Sequence, residues 1–158
     1  MAAPRPNALS RALRAFLCDH VPRLQGLSPH TIHSYRDSLT LLLRFMATHR
    51  RRSVAELDLV HIEAEDVIAF LDHLEEERHN TIATRNVRLA ALHAFFRYVA
   101  VTDPEQLSRS QRILHIPFKR AGQRLIEYLE YDEIQAVLDA VDRATPDGRR
   151  DYALQAMM

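Results

Sequence analysis

Residues 80–100, NTIATRNVRLAALHAFFRYVA, constrain the fold more than any other stretch of the chain. Ile82, Leu89, Leu92, Phe96 and Val99 recur at a helical period, so the spacing predicts one long amphipathic helix with an aliphatic-aromatic stripe. Asn80 or Thr81 offers the N-cap, and Arg85 and Arg88 follow near the start. From Arg78 to Thr102 there are four Arg and no acid. A helix of this kind packs on a core and concentrates positive charge at one end, the pattern of a helix that meets a phosphate backbone. Duplex DNA is the expected partner.

Three further helices are predicted upstream. The first covers about Asn7 to Val21, with Leu9, Leu13, Phe16 and Leu17 on one stripe and Pro22 near its end. The second is the best signed: Ser28 is a good N-cap and Pro29 takes the first helical position. Its apolar set, Ile32, Tyr35, Leu39, Leu42, Leu43 and Met46, keeps a 3.6-residue period. The third spans roughly Glu63 to Arg78, with Glu63, Glu65 and Asp66 at its start suiting the helix dipole. Val67, Phe70, Leu71 and Leu74 form its inward face. Strand signals are nearly absent, and the chain has only three Gly. Four helices of this length can close a bundle over residues 1–102.

After Val101 the pattern breaks. Residues 103–127 hold two Pro, one Gly, scattered apolar residues and five bases, and read as a basic linker extended around Ile116, Pro117 and Phe118. A new helix is predicted over about Glu130 to Arg143, with Ile134, Val137, Leu138 and Val141 on one side. Pro146, Asp147 and Gly148 read as a turn, with a last helix from near Arg149. The chain ends on RRDYALQAMM, in mid-helix by pattern, so 128–158 is read as the opening of a second domain.

Formal net charge is zero, but the charges are segregated. Arg36, Arg44 and Arg50–Arg52 face one acid, Asp37; then nine acids between Glu56 and Glu77 have no Lys or Arg among them. One face can therefore be basic while another is acidic. No apolar run approaches a bilayer span, and MAAPRPNALSRAL lacks a secretory core. A lone Cys18 excludes an internal disulfide and fits a reducing cytoplasm, the expected location. Nine His form no metal-ligand motif, and no Gly-rich phosphate loop exists, so neither a metal, another cofactor nor a small-molecule substrate is expected.

The order of parts is similar to that of the tyrosine recombinase (phage integrase) family. Ser28, Thr31, Tyr35 and Leu39 resemble its S-x-x-T-x-x-x-Y-x-x-x-L helix. Thr81, Thr84, Arg85, Leu89, Leu92, Phe95 and Phe96 resemble its T-x-x-R-x-x-x-L-x-x-L-x-x-F-F helix. Pro117-Phe118-Lys119-Arg120 and Tyr131-Asp132-Glu133-Ile134 resemble the entry into its catalytic domain, with Glu130 in place of the usual capping Thr. Arg149-Arg150-Asp151-Tyr152-Ala153-Leu154 resembles its R-D-x-A-L helix. The resemblance implies an all-α fold: a four-helix SAM-like core-binding bundle that holds duplex DNA, then a linker and two helices of an incomplete catalytic domain. It also implies that the full-length relative cuts and rejoins DNA through a phosphotyrosyl intermediate. The family's catalytic Arg, Lys, His, Arg, His and Tyr lie beyond the R-D-x-A-L helix, so this chain is expected not to be an enzyme.

For DNA contact the candidates are Thr31, His33, Arg36, Thr40 and Arg44 on helix two, and Thr81, Thr84, Arg85 and Arg88 on helix four. Hydroxyls and a helix N-terminus can bond phosphates, while Arg adds charge or reaches guanine. Lys119, Arg120 and Arg124 in the linker are plausible backbone contacts. Arg85 and Arg88 could instead pair with the acidic third helix. The alternative function is a helical interaction module that pairs with another protomer or an intact recombinase.

Overall fold

The computed structural model describes residues 6–120 and 130–157, and among these there is no strand. The chain forms two compact units, Met1–Ala121 and Gly122–Met158. No helix among the described residues is long and apolar enough to cross a membrane.

The first unit opens with α1 (Ala8–Ala15), capped by the Asn7 side chain on the Ser10 N–H. It runs on without a break as a wider, π-helical segment over Phe16–Leu24. Pro22 accounts for the widening: it has no N–H, and its ring would press on the preceding turn of a tight α-helix. The segment's Phe16 is fully buried against Tyr35, Phe95 and Tyr98. Gly26 then takes the left-handed conformation at φ 60° that reverses the chain.

Helix α2 (Pro29–His49) starts as predicted, with the Ser28 hydroxyl accepting the Thr31 N–H at 3.3 Å. Leu39, Leu42 and Met46 are buried. Helix α3 (Ala64–Glu76) buries Val67, Phe70, Leu71 and Leu74. Helix α4 (Ile82–Thr102) is capped by Thr81 and buries Leu89, Leu92, Phe95, Phe96 and Val99. Polar links supplement this core. Asp66 is buried, and Arg50 grips its two carboxylate oxygens from 2.8 and 2.7 Å while the Glu63 N–H donates to it at 2.9 Å.

The expected linker from residue 103 is corrected. Asp103 caps a short 3-10 turn with Pro104 at its first position, and α5 (Leu107–Leu114) follows. Pro104 therefore acts as a helix-start residue, not a breaker. Helix α5 lies along α4, with Ile113 and Ile116 in the common core. Arg109 and Arg112 turn back to Glu63 at 3.0 and 3.1 Å, tying α5 to the start of α3. The first unit thus extends about twenty residues past the expected boundary of 102.

The second unit holds α6 (Tyr131–Asp139) and α7 (Pro146–Ala156). The Glu133 carboxylate accepts the Glu130 N–H at 2.9 Å, half of a capping box at the position where a Thr was wanting. Pro146, Asp147 and Gly148, expected as a turn, form the first turn of α7. Gly148 is required there, because a Cβ would run into the Asp142 carbonyl. The Arg143 guanidinium sits 3.6 Å over the Tyr152 ring. Ile134 and Val137 are 43% and 48% exposed, while Leu138 and Val141 are half-buried.

Candidate nucleic-acid interface

On α2, residues 33, 36, 40 and 44 are spaced by three and then four, so their side chains lie on one face of the helix. That face is opposite the one carrying Leu39, Leu42 and Met46. His33, Arg36 and Arg44 are exposed, and Thr40 is half-buried. None of the four has an ion-pair partner among the described residues, although the exposed Asp37 flanks them. At the helical rise the stripe is about 16 Å long. Thr31 lies two residues before His33, about half a turn round the helix and so off this face, its hydroxyl 3.0 Å from that of Ser28.

The start of α4 is less open than its sequence implies. Thr81 and Thr84 face outward as a pair, with hydroxyls 3.1 Å apart. Arg85 does not reach the surface: it is 4% exposed, with Nε 3.0 Å from Glu75 Oε1 on α3. That contact is ionic without being aligned as a hydrogen bond, and the Nε stays unpaired in that sense. Arg85 Nη1 donates instead to the Asn86 side chain at 3.2 Å and to the Pro117 carbonyl at 3.4 Å. The expectation of Arg85 as a surface DNA contact is therefore replaced by a buried brace. Arg88 turns to α2, not to the acidic α3, and donates to the Ser38 hydroxyl at 3.1 Å.

Residues 116–119 run against α4 and are fixed to it. Asn86 Nδ2 donates to the Lys119 carbonyl at 2.7 Å, and the Lys119 N–H donates to Asn86 Oδ1 at 3.2 Å. Lys119 Nζ also bonds Glu75 Oε1 at 2.8 Å. The ammonium of Lys119, ahead of the guanidinium of Arg85, holds the Glu75 carboxyl below the usual carboxylate range against its partial desolvation. Arg120 is exposed. Arg124 lies outside the described residues. Phe118 meets the His93 ring edge-on at 5.3 Å, and His93 Nε2 lies 3.2 Å from the Ile113 carbonyl. Burial, aided by Arg97, depresses the His93 pKa despite that bond.

Asn86 and His93 had no part in the sequence reading, and Glu75 entered it only as one of the acids of the third helix, expected at a solvated helix end. Asn86 sits one position after a candidate Arg, but nothing local marks a partner thirty-three residues on.

These helices form an all-α, SAM-like core-binding bundle. Residues 13–101 match the family described as phage integrase, N-terminal SAM-like domain, and the chain belongs to that family. The integrase/recombinase y4rD of Sinorhizobium fredii is 42% identical over 143 residues, which cover 90% of this chain and 51% of that protein. The integrase/recombinase y4rC of the same organism is 40% identical over 146 residues, 92% of this chain and 44% of its own length. Tyrosine recombinase XerC of Caldanaerobacter subterraneus subsp. tengcongensis is 27% identical over 161 residues, 90% of this chain and 42% of that protein. The chain spans about half the length of the curated relatives it matches. No solved structure gives a significant match. The expectation of a chain that is not an enzyme is corrected by these relatives, which are named as recombinases and hence as enzymes.

Proposed function

We propose that this chain is the DNA-contacting portion of a tyrosine-type recombinase. The observation that carries the reading is the α2 stripe. His33, Arg36, Thr40 and Arg44 share the helix face turned from the core, without an ion-pair partner among the described residues. Duplex phosphates would lie along it, with Thr31, the Thr81–Thr84 hydroxyl pair, Lys119 and Arg120 adding contacts at the helix starts and the strap. Arg88 supports α2 through Ser38 and contributes its remaining donors. In the whole protein, 130–157 would open the domain that cuts and rejoins strands.

The test is binding of a labelled duplex by fluorescence anisotropy. Arg36→Ala/Arg44→Ala should weaken binding at least tenfold at moderate salt, each lost phosphate contact adding its share. An unchanged affinity would remove α2 from the interface.

The exposure of Ile134 and Val137 favours a second role, pairing between protomers through the second unit. A chain ending at Ala121 should then stay monomeric at concentrations where the full chain associates. Association of both would place the contact elsewhere.

A further inference from the structure

The C-terminal halves of α2 and α3 leave between them an open cleft of 470 Å³ that shares only Arg44 with the α2 stripe. Its floor is aromatic. Phe45 lies over the buried Phe70, with ring centroids 5.7 Å apart. Two imidazoles flank Phe45: His49 stacks on it at 5.2 Å and 16°, and His73 is tilted at 5.1 Å. Arg44 on α2 and Arg78 just past α3 line the same cleft, and both are exposed. The one acid in the lining is Glu77, whose Oε2 lies 3.1 Å from His73 Nδ1.

Both helices end here, and a helix C-terminus ordinarily repels an anion through its free carbonyls. These carbonyls are largely answered from within the backbone. The Arg50 N–H donates to Met46 at 2.9 Å and the Arg52 N–H to Ala47 at 3.0 Å. On α3, the Arg78 N–H donates to His73 at 3.2 Å and the Asn80 N–H to Leu74 at 2.9 Å. The charge that a ligand meets is therefore set mainly by Arg44, Arg78, the two histidines and Glu77.

We propose that this cleft binds one nucleotide of a single-stranded nucleic acid, the base on the Phe45–His49 pair and the phosphate at Arg44 and Arg78. A flat ring joined to a phosphate is the ligand class that uses both halves of the lining. An apolar ligand would bring nothing to the arginines, and a bare phosphate would leave the rings unused. The cavity has the volume of a site for one small ligand. A basic groove beside a stacking ring is also how single strands are held without sequence preference. Glu77 opposes the phosphate and limits the affinity, an effect that its contact with His73 moderates.

The test measures anisotropy of a labelled oligothymidylate with the full chain at low salt. Arg44 belongs to the duplex stripe as well, so the diagnostic variant is His49→Ala/Arg78→Ala, two exposed positions outside the core. It should weaken single-strand binding about tenfold, the loss expected of one stacking contact and one charge. Phe45→Leu should weaken it several-fold, and Glu77→Gln should tighten it. Duplex binding should stay within twofold in the His49/Arg78 variant and fall in Arg36→Ala, so the two sites fail separately. Competition by thymidine monophosphate would show that a free nucleotide suffices; oligothymidylate binding without such competition would assign the cleft to a strand. Single-strand binding unchanged in the His49/Arg78 variant would overturn the proposal. Inorganic phosphate competing as well as thymidine monophosphate would do the same.

Discussion

Asn86 closes a two-bond ring on the peptide of Lys119, giving 2.7 Å to its carbonyl and taking 3.2 Å from its N–H. A side-chain amide thus does what a neighbouring strand would do, and it fixes the residues leaving α5 against the start of α4. Asn86→Ala should cost about 1–2 kcal/mol, two part-exposed hydrogen bonds of ordinary worth. Hydrogen exchange at Lys119 should rise in that variant while the α4 core stays protected. Equal protection in wild type and variant would mean that Phe118 and Ile116 hold the strap unaided.

Arg85 is a brace, so its loss should read as instability. Arg85→Met leaves Glu75 with Lys119 alone and should lower the urea midpoint by an amount equivalent to about 2–3 kcal/mol. Glu75→Gln should cost less than Arg85→Met, because it leaves Arg85 its bonds to Asn86 and Pro117. The ranking is read from paired denaturation curves, and the reverse order would contradict the geometry.

Acid should act in two stages. His93 has its pKa lowered by burial, so the folded state resists its protonation; this stability is present above the ordinary imidazole value and declines as pH falls below it. Glu75 has its carboxyl pKa lowered by Lys119 and Arg85, so its stability is present above the ordinary carboxylate value and is lost as pH falls through the folded one. Midpoints measured from pH 8 to pH 3 should fall in both windows. His93→Gln should flatten the upper one and Glu75→Gln the lower. A single acid transition unaffected by His93→Gln would contradict the first assignment.

His79 holds a left-handed backbone at φ 52°, past the end of α3, as Gly26 does at φ 60° after the first helix. A side chain in this conformation costs about 1 kcal/mol. His79→Gly should therefore raise thermal stability by roughly 0.5–1 kcal/mol. A loss of stability would show that the ring makes a compensating contact.

Much of the bundle is legible because its signals are local. Ser28 with Pro29 announces α2, Thr81 announces α4, and the apolar periods name Leu39, Leu42, Met46, Phe70, Leu89 and Phe96 as core. Helix α5 is hidden because its eight residues carry few apolar side chains and Pro104 reads equally as a stop or a start. The α2 stripe is legible by spacing alone, since an exposed face needs no partner. Arg85 is not: its burial depends on Glu75, which precedes it by ten residues, and on Pro117, thirty-two residues beyond. Charge counted along a segment cannot separate an arginine that faces solvent from one that closes an internal ion pair.

In the proposed interface the α2 stripe, not the buried arginine of α4, meets the phosphates. The most direct measurement is the salt dependence of binding to one duplex for wild type, Arg36→Ala/Arg44→Ala and Arg85→Met, each kept below its unfolding temperature. The stripe variant should lose about two from the slope of log affinity against log salt, at nearly one per phosphate contact. Arg85→Met should keep the wild-type slope while folding less stably. A slope unchanged in the stripe variant and reduced in Arg85→Met would move the phosphates from α2 to the start of α4.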